Sequence, residues 1–342
     1  MKKIVLFNHK GGVSKTTTAF NLGWKLAQQE ETRVLLVDAD PQCNLSSLFL
    51  GDDYDEYYEN EETQSQNIKD GVRNAFDGIP KPIEPLTCPY AKRNKRLYLL
   101  PGHMTLSEFD AQLNFAQTAT QALSSLKSLP GAFNDLINKT SEKYCIDYVI
   151  IDLNPGLSAI NQNLFLISDA FIIPTNPDAF SLMAIKSLSS ILPRWIKWKN
   201  ENIALFQDSA YPLPTEIPRF VGEIAQRFNI RNGAATKPYH DKIEDIVALI
   251  KSELIPSLQS NNMLFSEESY KSAGIDDTYK LCEIKDFQGL APKSQKYHVP
   301  VFALSDDELE ATGAVLAGMK DNRDYFGTVF QKMAEQLILL LK

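Results

Sequence analysis

What this chain has little of narrows its nature first. Its four cysteines, Cys43, Cys88, Cys145 and Cys282, are scattered over 342 residues with no C-x-x-C pair. That scatter argues against a cysteine-held iron–sulfur cluster and reads as reduced thiols in a reducing compartment. The histidines His9, His103, His240 and His298 lie far apart and show no metal-ligand spacing. No apolar run approaches the ~18 residues that span a bilayer. Lys2 and Lys3 precede an apolar segment too short for a signal peptide. The expected compartment is the cytoplasm. Positive charge is not in excess, since 35 Lys and Arg face 43 Asp and Glu. The balance of -8 argues against nucleic-acid binding over the whole surface but leaves room for a local basic patch. The acidity concentrates at 52–62 (D-D-Y-D-E-Y-Y-E-N-E-E), which reads as a solvated mobile loop. Internal repeats and low-complexity tracts are absent.

What is present is organised around residues 8–18, N-H-K-G-G-V-S-K-T-T-T. An apolar run at 4–7 precedes them and reads as a buried strand. A helical pattern follows through Phe20, Leu22, Trp24, Leu26 and Ala27. Strand, Gly-rich loop, Lys-Thr and helix form the layout of a phosphate-binding loop. Gly11 and Gly12 let backbone N–H groups turn inward without a Cβ in the way. The cradle would continue through Val13, Ser14, Lys15, Thr16 and Thr17. Lys15 brings charge to β and γ phosphates, Thr16 a hydroxyl for Mg2+, and the helix N-terminus its partial positive charge. His9 and Ser14 stand where G-x-x-x-x-G-K-[ST] has glycines, so the plain motif alone leaves a simple strand-to-helix turn open.

Further apolar runs at 33–38, 97–100, 148–152, 170–174, 220–226 and 281–285 read as strands. Helical patterns separate most of them, at 68–76, 106–126, 132–144, 161–167 and 180–198, the last interrupted at Pro193. This alternation implies an α/β fold: a doubly wound, mainly parallel sheet with helices on both faces. Ligands on such sheets sit beyond the carboxyl ends of the strands, where Lys10, Asp40 and Asp152 all fall. The whole chain, 1–342, reads as one domain, with an acidic loop at about 51–66 and a helical insertion at about 230–280. Asp152, at the end of a buried strand, can hold Mg2+ through water, or merely cap a turn.

Residues 10–17, K-G-G-V-S-K-T-T, resemble the deviant Walker A loop of the ParA/MinD family of partition and positioning ATPases. Lys10 takes the place of that family's signature lysine. Residues 38–42, D-A-D-P-Q, resemble its D-x-D-P-Q, and 152–157, D-L-N-P-G-L, resemble its D-x-P-P-x-L. Residues 168–177 (S-D-A-F-I-I-P-T-N-P) and the turn at 298–301 extend the likeness over most of 1–230 and 281–342. Ser14 and Asn154 depart from the pattern, and Cys43 stands where the family often has Gly.

The resemblance implies the P-loop NTPase fold and an Mg2+-dependent ATPase that alternates between a monomer and a homodimer with ATP sandwiched between subunits. Lys15 would hold the phosphates, and Lys10 would reach the partner's ATP. Asp40 would position the attacking water, and Thr16, Asp38 and Asp152 would lie at Mg2+. Gln226, Arg227, Lys285 and Asp286 would fall near the adenine edge. D-x-D-P-Q is closer to the ParA branch. There the output is ATP-dependent, non-specific DNA binding for plasmid or chromosome partition, on the nucleoid, with a partner protein that stimulates hydrolysis. Two alternatives stay open: a regulatory or defence-associated ATPase with a dedicated protein partner, and a MinD-like membrane-positioning ATPase.

The final helical pattern at 323–341 carries Phe326, Val329, Phe330, Met333, Leu337, Ile338 and Leu341 in one stripe. Its polar face is not basic, so it reads as core and not as a membrane anchor. At 194–199 (R-W-I-K-W-K) basic and aromatic residues interleave, which suits a nucleic-acid contact or a helix end packed through its tryptophans. Arg194, Lys197, Lys199 and Arg219 are the candidate DNA contacts.

Overall fold

Alternating apolar residues in the central strands bury both faces of a sheet, and each face needs its own cover of helices. The computed structural model describes residues 1–118, 126–228, 230–231, 234–235 and 237–342. Along the chain, strands β1 (Lys2–Leu6), β2 (Val34–Ala39), β3 (Tyr90–Ala91) and β4 (Asn94–Leu100) are followed by β5 (Tyr148–Leu153), β6 (Ala170–Thr175) and β7 (Arg219–Phe228). A hairpin of β8 (Ile230–Arg231) and β9 (Ala234–Ala235) precedes β10 (Lys280–Lys285). The main sheet has the order β10-β7-β6-β1-β5-β2-β4-β3. Every pairing in it is parallel except β3 with β4.

Val5, Phe7, Leu35, Val37, Val149 and Ile151 face one apolar core. Its cover is α4 (Ile68–Phe76), α5 (Glu108–Thr118), α6 (Leu129–Tyr144), α7 (Ala159–Leu166) and α8 (Ala179–Gln207). Ile4, Leu6, Leu36 and Ile150 face the other core. There α1 (Lys15–Ala27) and α2 (Asn44–Leu50) pack with the last helix, α13 (Gly313–Leu341). Gly23 sets the approach of α1: a Cβ there would come within 2.5 Å of Leu36 Cδ2. The connection from β1 leaves on the α1 face and that from β5 on the α7 face, so the crevice between these neighbours is the sheet's switch point.

The remaining helices are α3 (Tyr54–Glu59), α9 (Lys237–Leu249), α10 (Ile255–Gln259), α11 (Glu267–Ser272) and α12 (Leu290–Tyr297). Region 230–280 carries α9, a five-residue π turn at Ile250–Leu254, α10 and α11, and it opens with the β8–β9 hairpin that no pattern marked. Its Ile246, Ile250, Leu254 and Leu258 join the α8 core.

Two expectations are corrected. The acidic stretch is not a loop: a 3-10 turn at Gly51–Asp53 runs into α3, with Tyr57 buried and its hydroxyl donating to Gln66 O at 2.9 Å. Aromatic anchoring outweighs its surplus charge. Pro193 does not interrupt α8. The pattern at 106–126 is helical over Glu108–Thr118, and residues 119–125 lie outside the described residues. At the C-terminus, Phe326, Phe330, Met333, Leu337 and Leu341 are buried, so the stripe is core. Among the described residues no helix is long and apolar enough to cross a membrane.

Candidate functional site

The loop after β1 is held from its base. Asn8 is fully buried; its amide donates to Pro174 O at 2.9 Å and its Oδ1 accepts from Lys10 N at 3.0 Å. The chain then turns through two left-handed residues, Gly12 (φ 73) and Ser14 (φ 54), before α1 starts at Lys15. Asn176, just past β6, donates to Gly12 O at 3.0 Å and ties the loop to the next strand. Lys15 is buried. Its ammonium folds back on the loop's own carbonyls, Asn8 O at 3.1 Å and Lys10 O at 3.5 Å. Burial pulls its pKa down, against the pull of Asp152 and Asp40. An anion in the loop would replace these carbonyls and reward the charge.

Lys10 points elsewhere. In the single chain it pairs with Asp178, the N-cap of α8, and donates to Ser181 Oγ at 3.2 Å. Three apolar side chains, on the turn after β5 and at the start of α8, are exposed: Leu157, Phe180 and Met183. The Lys10 ammonium stands 5.9 Å from the Phe180 ring centre.

Asp38 on β2 and Asp152 on β5 are register partners on adjacent strands, so their side chains emerge on the same face. Both are fully buried. Asp38 is engaged: Oδ2 accepts from Ser46 N and Ser46 Oγ, each at 2.7 Å, and Oδ1 accepts from Asp40 N at 3.2 Å. Burial still pushes its pKa up to about 6. Asp152 is not engaged in this way: neither carboxylate oxygen has a partner in full hydrogen-bond geometry, and the nearby Thr16 hydroxyl only partly offsets its burial. Burial, and then the charge of Asp38, raises its pKa. Two buried, crowded carboxylates, one with bare oxygens, fit a divalent cation, which would hold both ionised. Among the described residues no three His, Cys, Asp or Glu converge as a metal cage, which suits a cation held also by a hydroxyl and phosphates. Asp40 is buried at the mouth; its Oδ1 accepts from Gln42 N at 2.9 Å and holds the turn into α2.

Lys15 and Asp40 open on a cleft of about 770 Å³, while Lys10 and the fully buried Asp38 and Asp152 are not among its lining residues. Gly11 to Thr17 and Asp40 line one end. Gln226, Lys285 and Asp286 line it too, so the structure brings them to the loop. Gln226 donates to Thr18 Oγ1 at 2.8 Å. The Lys285 ammonium bonds Asn322 Oδ1 at 2.6 Å, and Asp286 caps its own turn through Gln288 N at 2.7 Å. The side chain of Arg227 lies outside the described residues. The sequence reading missed Phe287 before α12, Gln295 on it and His298 at its C-cap, and Asn44 and Ser47 on α2, which also face the cleft. For His298 a signal existed: it occupies the turn at 298–301 and is left-handed (φ 51).

One candidate surface residue is overturned. Lys199 is buried, donating to the carbonyls of Leu166 (2.6 Å) and Glu216, with burial lowering its pKa to about 8. Arg194 stays exposed, Lys197 lies 3.8 Å from Glu201, and the Arg219 guanidinium lies 5.5 Å from the Phe265 ring centre.

A parallel doubly wound sheet with a lysine-threonine loop at its switch point and an acidic residue on the neighbouring strand defines a P-loop ATPase fold. The AAA-domain family AAA_31 matches residues 1–205, and the chain belongs to it, in the ParA/MinD group. A ParA family protein of Chlamydia pneumoniae is 31% identical over 56% of this chain and 65% of its own length. The chromosome partitioning protein ParA of Caulobacter vibrioides is 29% identical over 57% of this chain and 63% of its own. The matches thus span just under two thirds of those relatives. Among solved structures, the Cyanothece McdA(D38A)–ATP complex superposes with a TM-score of 0.57 at 19% identity, covering 94% of this chain and 96% of that one. The pNOB8 ParA bound to nonspecific DNA gives a TM-score of 0.51 at 18% identity, covering 99% and 98%. At those identities the likeness is one of fold.

Proposed function

We propose that this protein is an Mg2+-dependent ATPase that switches between a monomer and an ATP-sandwiched homodimer and serves plasmid or chromosome partition through non-specific DNA binding. The observation that carries the reading is the pairing of a buried Lys15, folded on carbonyls that a phosphate would displace, with the bare buried oxygens of Asp152. Thr16 and Asp152, with Asp38 behind it, would hold Mg2+, which would supply positive charge to the β and γ phosphates. The backbone N–H groups from Gly11 to Thr17 and the start of α1 cradle the phosphates. Asp40 orients the attacking water, and the buried walls keep other water out. Gln226, Lys285 and Asp286 stand at the base end. Lys10, beside the exposed Phe180 ring, would leave Asp178 for a second subunit's nucleotide. The test is nucleotide affinity. Lys15→Ala should abolish Mg-ATP binding measured by calorimetry, because it removes the cation facing the phosphates; undiminished affinity would refute the site.

A further inference from the structure

The acidic helix α3 has no counterpart in the motifs above, yet it is wired to the site. The Tyr58 hydroxyl donates to Gly102 O at 2.8 Å. Gly102 N donates to Ser46 Oγ at 2.9 Å. Ser46 then gives its Oγ–H and its N–H to the same Asp38 oxygen, each at 2.7 Å. Gly102 follows β4 and lies against the carboxylate itself: a Cβ there would stand 3.0 Å from Asp38 Cγ and 3.1 Å from Cys43 Sγ. The outer flank of the Tyr54–Tyr58 pair, with ring centres 5.0 Å apart, lines a second cleft of about 750 Å³ shared with His103 and Met104. Tyr58 therefore stands between the surface and Asp38.

We propose that Tyr58 is a positioning residue for the metal-nucleotide site, bracing Asp38 through Gly102 and Ser46. No proton moves along this chain, since the carbonyl and the N–H of Gly102 belong to different peptide groups. What passes is position. A buried carboxylate beside Asp152 stays in place only while its donors are fixed. Without the Tyr58 hydroxyl the turn after β4 loses its outer anchor, and Ser46 loses a fixed donor. The inference rests on the proposed Mg-nucleotide reading of this site.

The control lies on the same helix. Tyr57 also donates its hydroxyl to a backbone carbonyl, Gln66 O, but reaches nothing at Asp38. Binding of a fluorescent ATP analogue is titrated with Mg2+ and compared with binding in EDTA. Tyr58→Phe should raise the half-saturating Mg2+ about five- to tenfold and leave binding in EDTA unchanged. Tyr57→Phe should leave both unchanged, with a similar loss of melting temperature. In a Ser46→Ala background, Tyr58→Phe should add almost nothing, because the bracket is already cut. An unshifted Mg2+ midpoint in Tyr58→Phe overturns the proposal, as do an equal shift in Tyr57→Phe and full additivity with Ser46→Ala. Wild-type binding that ignores Mg2+ overturns the proposed function itself and this inference with it.

Discussion

At the scale of single residues, two departures from the family pattern share one physical cause. Ser14 and Cys43 both stand where the sequence motif leads one to expect glycine, and both are left-handed, at φ 54 and φ 53. A side chain in that region costs on the order of 1 kcal/mol. The Ser14 hydroxyl makes no capping bond that would offset the cost. Ser14→Gly should therefore stabilise the nucleotide-free protein by about 1 kcal/mol in urea denaturation; a neutral or destabilising result would mean the loop needs the serine. Cys43 is buried with its thiol pushed up to about 12, so it is an inert wall and not a nucleophile. Much of the site was legible at this scale. Lys15, Asp38 and Asp152 are marked by where they fall relative to apolar runs, and strand register does the rest. Lys199 was not legible, because a lysine at a helix end looks the same whether water or two buried carbonyls receive it. Gln295 was missed because no spacing rule links it to a loop nearly three hundred residues earlier, and His298 because the likeness at 298–301 marked the turn without giving the histidine a role.

At the scale of elements, α8 shows why a local rule failed. Proline lacks the N–H that would bond the carbonyl four residues back, so Pro193 leaves Ser189 O free. Ser257, beside α8 on α10, donates its hydroxyl to that carbonyl. The helix continues because a distant segment supplies the missing donor, and nothing near Pro193 in sequence announces it. Ser257→Ala should cost about 1 kcal/mol, the loss of one hydrogen bond at a part-buried carbonyl. In a Pro193→Ala background residue 193 regains an N–H, and the same change should cost much less. Equal costs in both backgrounds would show that Ser257 acts otherwise. The acidic helix failed for a related reason. Its charge signalled a loop, while Tyr54, Tyr57 and Tyr58 carry the packing. The parallel strands were legible because each is a short run buried on both faces.

At the scale of the whole molecule, the question is which surface the proposed switch would serve. The apolar face of α13 lies against α1 and β10, so it is not available to lipid. The chain's charge of -8 opposes DNA unless cations are concentrated on one face. Burial of Lys199 leaves Arg194, Lys197 and Arg219, too few in one subunit to hold a duplex firmly. Two subunits joined at the loop face would double that number. DNA binding should accordingly need ATP and Lys10 together, since the dimer doubles the cations. Each phosphate contact releases counterions, so affinity should also fall steeply with salt and ignore sequence. Mobility shifts with an arbitrary duplex, run with and without ATP at two salt concentrations, measure this beside sedimentation with liposomes. The expected result is a salt-sensitive shift only with ATP, lost in Lys10→Ala and weakened in Arg194→Ala, with no liposome binding. Liposome binding without a DNA shift would move the protein to the membrane-positioning branch. Binding to neither would favour a dedicated protein partner.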